Sequence, residues 1–124
     1  MFEITESNLP QFWNSEQDMA RESLRQIEKD FALQGVDISL DIPIKNYELV
    51  VREIAEKFDG LDLVHLARFP AIAYQIDLNE SELKLAMARS EPSETYEILA
   101  ALILKRCFKK VWWRGQMKSN RKEK

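Results

Sequence analysis

A chain of 124 residues with 45% apolar and 31% charged residues, three glycines and four prolines is long enough for one domain, because a chain of this size withdraws roughly two-thirds of its unfolded surface from water. That composition excludes a disordered chain and a turn-rich all-β fold. The single cysteine, Cys107, excludes an internal disulfide, and with the single histidine, His65, it leaves no zinc-finger ligand set.

The first residues, 1–14, carry Phe2, Ile4, Leu9, Phe12 and Trp13, too apolar for a free tail, so they dock on the core, and Pro10 opens a short helical turn after Asn8. A helix follows over 16–34. Ser15 is its expected N-cap, Glu16 and Asp18 suit the positive end of the helix dipole, and Ala20, Leu24, Ile27 and Phe31 line one face. Gly35 follows as the natural C′ residue.

Residues 36–44, VDISLDIPI, alternate strictly, which in isolation reads as a strand. No second run of that quality exists to pair with it and Pro43 removes a ladder donor, so an extended connector lying over the core is expected. Pairing across a dimer is the alternative. Asn46 then caps a helix in which Tyr47, Val50, Val51, Ile54, Ala55 and Phe58 recur at steps of three and four, ending at Asp59-Gly60. Residues 61–76 are apolar nearly all round, and Pro70 predicts a bent helix or two short ones.

Leu78-Asn79-Glu80-Ser81-Glu82-Leu83 is a start signal, with Asn79 as N-cap, Glu82 placed to close a capping box, and Leu78 with Leu83 as a hydrophobic staple. That helix runs to about Ala88. The longest periodic stretch is 93–114, SETYEILAALILKRCFKKVWWR. Its first half is apolar enough to be buried, and its second half carries Lys105, Arg106, Lys109, Lys110 and Arg114 beside Trp112 and Trp113. After Gly115, the sequence QMKSNRKEK has no apolar periodicity and reads as a disordered basic tail.

Few residues carry a recognisable chemistry. Asp62-x-x-His65 is half of the motif that di-iron bundles use, but such sites need a second copy and further glutamates, so a partly buried, hydrogen-bonded histidine is the expectation. Glu53-x-x-Glu56 with Asp77-x-x-Glu80 is similar in outline to the paired acidic motifs of helical nucleotide pyrophosphohydrolases, where carboxylates on facing helices hold Mg²⁺. Asp77 and Glu80 straddle the Asn79 cap and share no helix face, however, so solvated glutamates and a capping region account for them. Residues 52–69 have the outline of a helix-turn-helix, yet the second helix would offer Leu63, Val64, Leu66 and Ala67 to the major groove. A buried helical hairpin fits better. Cys107 lies on the apolar stripe and reads as an inert core thiol.

The net charge of −3 conceals an uneven distribution. Residues 105–124 hold nine Lys and Arg against one Glu, whereas 1–104 hold nine against twenty Asp and Glu. Trp112 and Trp113 are about 100° apart on a helix, so there is room for one to pack inward while the other is pushed towards the surface; the alternative is that both rings cap the end of the bundle and the cations reach past them. The expectation is an all-α, compact single-domain bundle of about five helices over 1–115, with a central C-terminal helix, the connector 36–44 and a basic tail 116–124. With no apolar segment long enough to span a bilayer and no leader pattern, a cytoplasmic protein is expected.

Functionally, the sequence predicts a small non-catalytic interaction protein with no cofactor and no metal. It would bind an acidic protein partner, or a second copy of itself, through Arg106, Lys109, Lys110, Trp113, Arg114 and Lys118, an aromatic anchor ringed by cations. The alternative is binding of nucleic-acid phosphates by the same basic end.

Overall fold

The computed structural model describes residues 8–43, 46–88 and 91–122, with side-chain positions for all of these but 92 and 116–122. Six α-helices and one 3-10 turn are present among them, and no strand: α1 (Leu9–Ser15), α2 (Gln17–Leu33), α3 (Tyr47–Leu61), the turn Leu63–His65, α4 (Phe69–Ile76), α5 (Glu80–Met87) and α6 (Pro92–Lys122). The expected all-α bundle is the observed fold, with one helix more than anticipated, because the lead-in forms α1 and buries Leu9 and Trp13.

The chain passes from α1 into α2 through Glu16 alone. Its N–H goes to Phe12 O at 2.9 Å, so Ser15 falls inside the last turn of α1 and donates its hydroxyl to Phe12 O instead of capping α2. The C-terminus of α2 follows expectation. Gly35 takes φ +75, its N–H meets Ala32 O at 2.9 Å, and Val36 N–H meets Phe31 O at 3.0 Å, the Schellman closure that a residue without Cβ makes easy.

From Val36 to Pro43 the backbone forms neither helix nor strand, with one tight turn in which the Ile42 N–H meets Leu40 O at 2.8 Å, and Ile44 lies outside the described residues. Ile38 and Leu40 are buried, and the Glu28 carboxylate accepts the Leu40 N–H at 2.9 Å, so a side chain of α2 supplies the bond that a neighbouring strand would otherwise make. The connector is thus tied to α2.

Asn46 Oδ1 accepts the Leu49 N–H at 3.0 Å and opens α3, which buries Val50, Ile54, Ala55 and Phe58. The helix runs through Gly60 to Leu61 and stops at Asp62 in the left-handed region, φ +51. Asp77 ends α4 in the same way, φ +67. Both stops use aspartate, one of the few non-glycine residues that accept this conformation at low cost. Pro70 does not break a helix. It sits in the first turn of α4, where its missing N–H costs no helical bond.

Asn79 caps α5 through bonds from Ser81 N–H (2.9 Å) and Glu82 N–H (3.1 Å), but the Glu82 carboxylate turns to Lys105 instead of closing a capping box. α6 packs against α2, α3, α4 and α5 and buries Tyr96, Leu99, Ala100, Ile103, Leu104, Cys107, Phe108 and Val111. It is the central helix. Trp13 lies 6.1 Å from Phe108 between ring centroids, and Phe31 stacks on Phe58 at 5.6 Å, which ties α1, α2 and α3 into one core around it. No helix among the described residues is long and apolar enough to cross a membrane.

Candidate functional site

On α6, Arg106, Lys109 and Trp113 follow at steps of three and four and share one side of the helix, while Ile103, Cys107 and Lys110 turn towards α2. The six residues expected to form one contact surface therefore divide between two environments, and Lys118 lies outside the described side chains.

Lys110 points inward. Its Nζ stands 3.2 Å from Oδ2 of Asp30, a carboxylate only 2% exposed, and it donates a second bond to Gln75 O at 3.4 Å. Gln26 Nε2 donates to the other oxygen of Asp30 at 2.9 Å, and Arg114 in turn donates to Gln26 Oε1. Cys107 Sγ lies 3.9 Å from Asp30 Oδ2. Burial, and then the Asp30 charge, push the thiol up to about 12, so it is the inert core thiol expected. A buried carboxylate needs a cation and hydrogen bonds to remain in an apolar interior, and Lys110 with Gln26 supplies both. Sequence reasoning passes over Asp30. Its signal is nonetheless present, since Ala20, Ser23, Ile27 and Asp30 recur at steps of three and four along the buried face of α2.

The outward side is also partly neutralised. Arg106 Nη2 reaches Asp77 Oδ2 at 2.9 Å, and Lys105 Nζ reaches Glu82 Oε1 at 3.6 Å. These residues wall a groove of about 310 Å³ between α6 and the corner joining α4 to α5, with Leu78 and Leu102 contributing apolar surface. Lys109 lines the same groove with no carboxylate on it among the described residues. One turn beyond, Trp113 is 51% exposed, whereas Trp112 is partly buried and meets Phe12 edge-on at 5.6 Å. The Trp pair thus divides between core and surface, the arrangement the 100° offset allows. What remains outward is an aromatic ring, one unpaired ammonium and a guanidinium shared with Asp77.

The other candidates lie elsewhere. His65 is exposed, not partly buried, with its side chain 75% accessible, because the 3-10 turn that carries it leaves the core after Leu63. Its Nδ1 is 2.7 Å from Asp62 Oδ1, which also accepts from the Tyr96 hydroxyl at 3.3 Å. Asp62 is held below the ordinary carboxylate value, chiefly by the hydrogen bond from His65, and burial raises the Tyr96 phenol. The expected hairpin over 52–69 is α3 followed by that single turn. Glu53 and Glu56 line a groove with Asp37 and Asp41 of the connector, while Asp77 lines the α6 groove, so the two acidic pairs do not converge. Among the described residues, no group of three His, Cys, Asp or Glu side chains could hold a metal ion.

Comparison of the chain with protein-family models, with curated proteins and with solved structures finds no match in any of the three.

Proposed function

We propose that the chain is a small non-catalytic interaction protein whose α6 end binds an acidic protein partner. The supporting observation is Trp113, half exposed on the same helical side as Lys109, the cation of that side that carries no carboxylate among the described residues. An aromatic side chain stripped of water on binding contributes area at little entropic cost, and an adjacent ammonium selects for negative charge. Lys110 belongs to the framework of this surface, since it holds Asp30 and cannot turn outward without leaving a buried charge behind. The partner class includes a second copy, whose residues 1–104 carry the acidic excess.

Binding of nucleic acid by the same end draws less support from the geometry. Of the five cations at 105–114, Lys105, Arg106 and Lys110 each meet a carboxylate, and affinity for a phosphate backbone scales with the number of cations free to replace counterions.

The test is light scattering after size exclusion at low and high salt, with the 260 to 280 nm absorbance ratio recorded. The expected result is protein free of nucleic acid, and any self-association seen should weaken in Trp113→Ala and Lys109→Glu. Co-purified nucleic acid that salt strips in a steep log-linear way would sink the reading.

A further inference from the structure

The groove beside Lys109 is occupied at one point by the chain's own carboxylate. Asp77 is placed by the end of α4, with its N–H on Tyr74 O at 3.0 Å and its backbone in the left-handed region. Its carboxylate is therefore delivered to Arg106 by a helix cap. The bridge so formed is incomplete. Among the described residues, Arg106 donates to Asp77 through Nη2 alone, and Nε of the same guanidinium edge is buried with no hydrogen-bond partner. A carboxylate presenting both oxygens satisfies both nitrogens of that edge, the fork geometry in which arginine and carboxylates bind most strongly. The present pair is also open to water, the Asp77 side chain being 76% exposed and that of Arg106 38%. Ion pairs of that exposure are easily exchanged.

We propose that Asp77 stands in for a partner carboxylate. On this account, which rests on the reading of α6 as an acidic-partner surface, an aspartate or glutamate of the partner enters the α6 groove, bonds Lys109 and takes Arg106 over from Asp77. Trp113, one turn further along, covers the residue beside it. Charge counting favours a single carboxylate over a phosphate backbone. Lys105 and Arg106 are matched by Glu82 and Asp77, so the groove has one cation in excess, Lys109. A nucleic-acid strand would bring successive phosphates against the two carboxylates already there. Asp77 thus sets the affinity of the site by competing for it.

The experiment titrates the full chain into a fluorescein-labelled deca-glutamate peptide and reads anisotropy at low salt. Wild type should bind. Asp77→Asn should bind about threefold to fivefold more tightly, the exchange of one exposed ion pair, and asparagine also accepts the left-handed backbone, so the cap of α4 persists. Lys109→Met should bind about tenfold more weakly, the loss of the one unmatched cation. Glu97→Gln, which removes a charge from the exposed side of α6 near the α3 groove and away from Lys109, controls for net charge and should change affinity less than twofold. If Asp77→Asn is no tighter than Glu97→Gln while Lys109→Met still weakens binding, the stand-in idea falls and the acidic-partner surface remains. If wild type fails to bind the peptide, or Lys109→Met and Trp113→Ala bind as wild type does, both fall. A ten-residue deoxythymidine strand that binds as tightly as the peptide overturns the choice of a carboxylate ligand.

Discussion

Lys110→Met is the substitution that best separates framework from surface. It keeps most of the side-chain volume and removes the charge facing Asp30. At 3.2 Å and an effective dielectric of about 20, the lost attraction is about 5 kcal/mol. Two features reduce that figure. Gln26 still donates to Asp30 at 2.9 Å, and Lys110 is a quarter exposed, so water reaches the vacated position. Removing one partner of a buried pair ordinarily costs about 3–5 kcal/mol, which places the expected loss at about 2–4 kcal/mol. Urea unfolding at pH 7 followed by far-UV circular dichroism should show the midpoint falling by about 1–2 M for a slope near 2 kcal/mol per M. The double variant Asp30→Leu with Lys110→Met removes both charges and should lie within about 1 kcal/mol of wild type. A single variant that loses less than about 1 kcal/mol, or a double as unstable as the single, would refute the assignment of Lys110 to the framework.

Three further outcomes follow from the same geometry. Trp112→Ala should cost about 2 kcal/mol through lost burial and the edge-on contact with Phe12, whereas Trp113→Ala should stay within about 0.5 kcal/mol; equal losses in urea melts would place both rings in the core. Cys107, pushed up to about 12, should resist a thiol-specific disulfide reagent at pH 8 in the native chain and react fully in guanidinium, so a rapid native reaction would contradict its burial. The Asp62 carboxylate, followed by NMR, should titrate below its ordinary value of 3.8 and move up in His65→Ala. Because its folded value is lowered, its contribution to stability is present above the ordinary value and lost as pH falls through the folded one, and a midpoint unmoved by His65→Ala would show that another group holds it down.

The helical stripes are legible in the sequence because burial of one face imposes a 3.6-residue period on it. Gly35, Asn46 and Asn79 are legible because each is the residue type that its cap needs. The boundaries that differ are local. Sequence ends α3 at Gly60, whereas the helix runs on to Leu61 and stops at Asp62 in the left-handed region; the segment 61–76 ends after Ile76 as expected, with Asp77 left-handed, but as the turn Leu63–His65 followed by α4. Gly60 costs α3 some propensity and Pro70 fits the first turn of α4, so neither acts as a breaker in place.

Charge is legible as a total and not as a pattern of pairs. The basic excess of 105–124 reads in sequence either as a cationic surface or as an end that folds back on the acidic body, without saying which cations pair; Asp30 of α2, Asp77 at the end of α4 and Glu82 of α5 each hold one of them. The acidic body and the basic end are to a large extent complementary halves of one packing arrangement, the charges by which a central helix is fixed to elements on several sides. A charge that pairs within the fold is spent there, and what stays available to a partner is set by geometry more than by composition. Among the described side chains of α6, Lys109 is the groove cation left without a carboxylate, beside Trp113, and Arg114 meets only the neutral Gln26, a smaller cationic surface than the composition of 105–114 advertises.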